Sequence, residues 1–114
     1  MHATRLTLLN ASILTTYGTF RYEALSLKQA RELIREFKSS NTVIQSAIGH
    51  QATADLLTTL LEFPVPANRV EFTQSVEDAA LIFRLRRRPA EGKILSREEM
   101  EEVGYELGLL TRIA

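Results

Sequence analysis

The apolar run Ala-Ala-Leu-Ile-Phe at residues 79–83 is the feature that most limits how this chain can fold. Strands covered on both faces are continuously apolar, whereas strands with one face in water alternate apolar and polar residues. The run and the residues that follow it predict a strand over residues 79–87, lying in the centre of a sheet. The rest of the chain must therefore supply the neighbours of a central strand.

Hydrophobic periodicity and turn signals predict those neighbours. Capping boxes begin two helices, Ser26 with Gln29 and Ser96 with Glu99. Gly108 is predicted to end the second of these helices. Residues 68–74 alternate cleanly and lie close enough to 79–87 to predict an antiparallel hairpin. The other predicted strands cover residues 5–10, 19–25, 42–48 and 109–113, and the predicted helices run from 27 to about 40, 51 to 62 and 96 to 107.

Together these elements predict an α/β fold: one compact domain over residues 1–114, with a mixed sheet of about five strands flanked by helices. The chain has 45% hydrophobic and 25% charged residues, and its formal net charge is zero. A neutral chain does not suggest binding along a long nucleic acid. No apolar stretch reaches the length of a membrane span, so we expect a cytoplasmic protein.

Cofactor and metal chemistry have little support in the sequence. The chain has no cysteine and two histidines, His2 and His50. No acidic residues stand at metal-ligand spacing, and neither a Walker pattern nor a dinucleotide fingerprint occurs. We therefore expect no metal and no cofactor.

His50 stands where the predicted strand 42–48 turns into the predicted helix 51–62. The start of a helix attracts anions, and small residues such as Gly49 would let a phosphate approach the backbone. A histidine there can exchange a proton near neutral pH. Taken alone, His50 is more simply explained as a surface residue in a turn.

Arginines provide the second group of candidate residues. Arg88 follows the central strand, Arg69 lies on the polar face of the predicted strand 68–74, and Glu91 is the acid within the basic segment 84–93. Arginine forks match phosphates, although a solvated basic patch explains them equally well. A histidine with arginines and a carboxylate suits metal-free RNA cleavage, in which a 2′-hydroxyl attacks the adjacent phosphate.

Four segments in this order resemble the YddF-like proteins, a family that includes ring nucleases acting in, or against, type III CRISPR immunity. They are LLNASILT (8–15), SAIGHQAT (46–53), NRVEF (68–72) and RPAEGKILSREE (88–99). The resemblance implies a small mixed sheet with helices, assembled as a two-fold homodimer. It also implies binding of cyclic tetra-adenylate, a second messenger, and its cleavage to linear di-adenylates.

The resemblance assigns roles to residues matched one by one. The histidine of the family's IGH motif, the general acid, falls on His50, with Ile48 and Gly49 beside it. Substrate-binding residues of the family fall on Asn10 and Arg69, and its catalytic arginine and glutamate fall on Arg88 and Glu91.

Two other functions remain open at this point. The chain could sequester a cyclic oligoadenylate without cleaving it, as a sponge or as a regulatory dimer on a mobile element. It could also be a structural dimer that binds a partner protein, in which case His50, Arg69 and Arg88 need not lie together.

Overall fold

The fold was analysed in a computed structural model that describes residues 5–10, 16–40, 42–70, 72–87 and 96–114, except for the side chain of Arg97. A five-stranded sheet carries the helices on one of its faces. The elements in chain order are β1 (Arg5–Leu9), β2 (Phe20–Leu25), α1 (Leu27–Ser39), β3 (Val43–Ser46), α2 (Gln51–Leu61), β4 (Ala79–Leu85), α3 (Arg97–Val103) and β5 (Tyr105–Arg112).

The apolar run at residues 79–83 forms most of β4, which is the central strand, as predicted. The strand order is β2-β5-β4-β1-β3, and all five residues of the run are buried. β1 runs parallel to both β3 and β4, whereas β5 is antiparallel to both β4 and β2. The predicted mixed sheet of a single compact domain is therefore confirmed.

The main core lies between the sheet and the three helices. Apolar side chains of β1, β4 and β5 meet those of the helices, including Ala30, Ile34 and Phe37 of α1 and Met100 of α3. A smaller cluster of Ala80, Ile82 and Leu110 covers the other side of the same strands. The burial of apolar side chains such as these is the dominant favourable contribution to the free energy of folding.

Both capping boxes form as predicted. The Ser26 hydroxyl accepts a hydrogen bond from the Gln29 amide at 3.1 Å, and the Gln29 side chain accepts from the Ser26 amide at 2.8 Å. Ser96 and Glu99 make the same reciprocal pair at the start of α3. These local patterns determine where the helices begin.

The predicted end of the third helix is wrong. α3 ends at Val103, and Gly104 follows with a φ of 90°. β5 then begins at Tyr105 rather than near residue 109, and Gly108 lies inside it. Residues 105–112 pair with strands on both sides, and this non-local pairing outweighs the local helical pattern.

The predicted strand 68–74 and its hairpin with 79–87 are also wrong. Neither edge of β4 is free, because β1 occupies one and β5 the other. The described residues of 68–74 belong to no strand. Its described residues instead lead from the carboxyl end of β3, where the Asn68 amide donates to the Ile48 carbonyl, to the amino end of β4, where the Gln74 side chain donates to the Asp78 carbonyl. Between these two points, Phe72 packs against the smaller apolar cluster of the sheet.

A buried polar cluster holds the last part of that segment. The carboxylate of Asp78 accepts hydrogen bonds from the Arg5 guanidinium and from the Ser75 amide. The side-chain amide of Gln74 donates to the carbonyls of Asp78 and Leu110, each at 2.9 Å. Gln74 and Asp78 are 1% and 3% exposed, so these hydrogen bonds fix the approach to β4.

Candidate functional site

The candidate site lies at the carboxyl ends of β1 and β3. The two strands are parallel neighbours, so the residues that follow them meet at one edge of the sheet. Asn10 comes directly after β1, and residues 47–50 come after β3. The Ala47 amide still donates to the Leu8 carbonyl at 2.9 Å, which keeps the start of this turn beside β1. Ligands of α/β sheets commonly bind outside such strand ends.

His50 is the N-cap residue of α2. Its backbone is extended, with φ −117° and ψ 131°, and its carbonyl accepts the first helical hydrogen bond from Ala54 at 3.0 Å. The imidazole is exposed and makes no capping hydrogen bond. The first amides of α2 therefore lack a side-chain cap, and an anion at this position would be attracted to them.

Arg69 lies across the same turn. Its Nε donates to the Gly49 carbonyl at 3.0 Å. A Cβ added at Gly49 would stand 3.3 Å from Cγ of Arg69, so the glycine allows the arginine side chain to approach the backbone closely. No hydrogen bond between described residues engages the two terminal nitrogens of Arg69, which can therefore face a ligand.

A set of hydrogen bonds between residues 46–48 and 66–68 holds Arg69 beside His50. The Ser46 hydroxyl donates to the Pro66 carbonyl at 2.7 Å and accepts from the Ile48 amide at 3.2 Å. The Asn68 side chain donates to the Ser46 carbonyl at 2.9 Å, and the Asn68 amide donates to the Ile48 carbonyl at 2.7 Å. We call this set the Ser46–Asn68 latch.

These groups surround an open cleft of about 440 Å³. Among the described residues, those that line it are Asn10, Ala47, Gly49, His50, Arg69 and Val70. This set holds a guanidinium, an imidazole and an amide side chain, and it contains no carboxylate. The cleft is therefore suited to an anion, with Arg69 able to form charge-assisted hydrogen bonds and His50 able to transfer a proton.

Four of the predicted site residues, Asn10, Gly49, His50 and Arg69, line this one cleft. Arg69 does so from an irregular segment and not from the predicted strand. Ile48 was expected to line the pocket, but its side chain is completely buried in the core, so only its backbone contributes to the turn. Arg88 and Glu91 lie outside the residues that the structure describes.

The sequence did not reveal the Ser46–Asn68 latch. Its two halves are about twenty residues apart in the chain, and no local pattern links them. Val70, which is 51% exposed, also lines the cleft and was not among the predicted site residues.

No group of three or more histidine, aspartate or glutamate side chains in the described part of the chain is placed to hold a metal ion. None of the helices there is both long enough and apolar enough to cross a membrane.

The sequence and fold were compared with those of known proteins. Residues 6–107 match the family model described as STIV B116-like. The chain is 38% identical over 95 residues to uncharacterized protein ORF117 of Acidianus two-tailed virus, covering 82% of this chain and 79% of that protein. It is 29% identical over 105 residues to uncharacterized protein YddF of Bacillus subtilis, covering 92% of this chain and 94% of YddF.

One solved structure is similar over nearly the whole chain. It is that of B116 from Sulfolobus turreted icosahedral virus, with a TM-score of 0.74 and 25% sequence identity. The similarity covers 95% of this chain and 99% of B116. The five-stranded sheet and its helices are thus shared with a viral protein.

Proposed function

The chain belongs to the STIV B116-like family, and we propose that it is a metal-independent ring nuclease that cleaves cyclic tetra-adenylate to linear di-adenylates. Such an enzyme would act in the cytoplasm and would switch off, or evade, type III CRISPR signalling. One observation carries the proposal: Asn10, His50 and Arg69 converge on a single cleft, and the described residues that line this cleft include no carboxylate.

The proposed reaction uses the substrate's own nucleophile. The 2′-hydroxyl of a ribose loses its proton to solvent water as its oxygen attacks the adjacent phosphorus, the bond from phosphorus to the 5′-oxygen breaks, and a 2′,3′-cyclic phosphate remains. His50 donates the proton that the departing 5′-oxygen needs. Arg69 and the first amides of α2 stabilise the negative charge that develops on the phosphoryl oxygens. Arg88 is proposed to assist with the same charge and Glu91 to orient groups at the site.

We propose that the site is completed in a homodimer. The described cleft is open and has a volume of about 440 Å³, within the range of about 300–1,000 Å³ for small-ligand pockets. A ring of four nucleotides on a two-fold axis would present opposite phosphates to two such clefts. Each subunit would then supply one His50, and two cuts would give two di-adenylates.

Binding without cleavage is the second candidate function. It is favoured by the surroundings of His50, because within the described ranges no side chain hydrogen-bonds to the imidazole. Catalytic histidines are usually oriented by a partner that fixes the tautomer. A sponge for cyclic oligoadenylates, or a regulatory dimer on a mobile element, would need Arg69 and the helix amides but no oriented acid.

Single-turnover cleavage of labelled cyclic tetra-adenylate by two variants distinguishes these functions. General acids contribute about 10²–10⁴-fold to rates, so His50→Ala should lose at least about 100-fold in rate and retain binding. Arg69→Lys should lose both binding and rate, since lysine cannot form the guanidinium fork. Arg35→Lys, the same change on the exposed face of α1, should behave as the wild type.

A wild-type cleavage rate in His50→Ala would refute the proposal that His50 is the general acid. Tight binding by the wild type with no product would establish the sponge. Neither binding nor cleavage by the wild type would refute both candidate functions.

A further inference from the structure

The strand β2 forms the longer of the two edges of the sheet. It has six residues, whereas β3 at the opposite edge has four. β2 pairs with β5 along its whole length, and no described strand pairs with its outer side. Its four central residues are exposed. An unpaired edge offers a row of free N–H and C=O groups to another strand, so β2 presents a regular edge at which the sheet can be extended.

The pairing of β2 with β5 decides which main-chain groups point outward. The Thr19 carbonyl accepts a hydrogen bond from the Ile113 amide at 2.7 Å, so the main-chain groups of this residue point to β5. Main-chain groups alternate in direction along an antiparallel pair, so those of Arg21 and Glu23 also point to β5. The residues that direct their N–H and C=O groups to the free edge are therefore Phe20, Tyr22 and Ala24.

The side chains of β2 carry opposite charges on one face of the sheet. Arg21 and Glu23 are separated by one residue, so they lie on the same face, and both are exposed. None of the ion pairs between described residues includes either of them. On the other face, the ring of Tyr22 lies over Gly108 of β5, where an added Cβ would stand 2.5 Å from it. The ring therefore lies over the sheet and leaves the backbone edge uncovered.

An antiparallel copy of β2 fits this edge in one register. Outward main-chain groups must meet outward groups, which places the two-fold axis on a residue, and the central choices are Arg21, Tyr22 and Glu23. An axis at Arg21 would oppose two arginines, and an axis at Glu23 would oppose two glutamates. An axis at Tyr22 pairs Arg21 of each copy with Glu23 of the other, in non-hydrogen-bonded positions where side chains are closest. The same axis pairs Phe20 with Ala24 and gives the longest overlap.

We propose that β2 is an interface with a second copy of this chain, in which two β2 strands pair antiparallel about Tyr22 and join two sheets into one. This interface goes beyond the proposed function and does not depend on it. β2 is separated from β1 by β5 and β4, so at strand spacings of about 4.8 Å the two His50 clefts lie roughly 30 Å apart. The axis at Tyr22 is therefore a different axis from the one on which two clefts would share a ring.

Cysteine cross-linking tests the interface, because the chain has no cysteine of its own. In Tyr22→Cys the two introduced thiols are carried by Cα atoms about 5.5 Å apart, within the range of about 4.4–6.8 Å for disulfides. Ala24→Cys is the matched control at the same edge and on the same face, and its two copies lie roughly 13 Å apart in this register. Under mild oxidation, Tyr22→Cys should give a disulfide-linked dimer and Ala24→Cys should not.

Charge reversal in the Tyr22→Cys background tests the register. Glu23→Arg turns both ion pairs into contacts between two arginines and should slow cross-linking at least about fivefold. Adding Arg21→Glu places opposite charges across the interface again and should restore the rate. Glu36→Arg, the same reversal on the exposed face of α1, should leave the rate unchanged. Equal cross-linking of Tyr22→Cys and Ala24→Cys, or none of either, would overturn the proposal, and so would equal rates in the Glu23→Arg variant and its α1 control.

Discussion

Removal of one hydroxyl from the Ser46–Asn68 latch tests whether the latch holds the site together. In Ser46→Ala the Pro66 carbonyl loses its donor at 2.7 Å, and the Ile48 amide loses its acceptor at 3.2 Å. Ser46 is 6% exposed and Ile48 is fully buried, so water cannot easily replace the acceptor of the Ile48 amide. Pro66 is exposed, so its carbonyl loses only the contribution of an ordinary hydrogen bond. A typical hydrogen bond contributes about 0.5–1.5 kcal/mol, and an unsatisfied buried group costs about 1–3 kcal/mol.

These values predict that Ser46→Ala lowers the free energy of unfolding by about 2–3 kcal/mol. Domains of this size have stabilities of about 5–15 kcal/mol, so the variant should still fold. The free energy of unfolding falls by about 1–3 kcal/mol per molar urea, so this loss should lower the urea midpoint of unfolding by roughly 1–2 M. Urea unfolding followed by far-ultraviolet circular dichroism measures it directly.

Ser39→Ala is the matched control, because it removes a hydroxyl from the exposed last residue of α1. Surface changes of this kind usually alter stability by no more than about 0.5 kcal/mol. The latch also holds Arg69, so Ser46→Ala should weaken ligand binding at the His50 cleft more than its folded fraction explains. Equal midpoints for Ser46→Ala and Ser39→Ala would refute the reasoning.

Other predictions concern the polar cluster before β4 and two glycines, Gly18 in the bend before β2 and Gly108 within β5. Asp78→Ala should destabilise the domain by about 3–5 kcal/mol, because it leaves the partly buried Arg5 guanidinium without its carboxylate. A thermal midpoint within about 2 °C of that of the wild type would contradict this prediction. Gly18→Ala should lower the thermal midpoint clearly, since its φ is 152° and the added Cβ would stand 2.6 Å from the Ala114 carbonyl oxygen. Gly108→Ala should lower the thermal midpoint much less, because the added Cβ meets an exposed tyrosine ring that can rotate away. Equal decreases of the thermal midpoint in the two glycine variants would show that these close contacts do not determine the loss of stability.

Elements determined by local signals could be predicted from the sequence. The capping boxes at Ser26 and Ser96 mark the starts of α1 and α3, and the apolar run at 79–83 marks the central strand. The predictions that were wrong concern residues whose structure depends on non-local strand pairing. Residues 68–74 alternate like a strand but find both edges of β4 occupied, and residues 105–107 leave the helical pattern because β5 pairs with two strands.

The candidate site shows the same difference between local signals, which the sequence reveals, and non-local contacts, which it does not. The place of His50 at the start of a helix could be predicted because a turn between a strand and a helix is visible in the sequence, whereas its role as a site residue came from the family resemblance. Parallel pairing of β1 with β3 brings Asn10 to the same edge. The position of Arg69 depends on hydrogen bonds from Ser46 and Asn68 across about twenty residues, which no periodicity encodes. The resemblance to a known family predicted Arg69 as a site residue but did not predict the hydrogen bonds that position it.

Mass analysis of the products formed from cyclic tetra-adenylate in the presence of EDTA tests the central claim most directly. The proposed function predicts linear di-adenylate ending in a 2′,3′-cyclic phosphate, because the 2′-hydroxyl is the nucleophile and no metal takes part. An intact ring after prolonged incubation with the wild-type protein would contradict it.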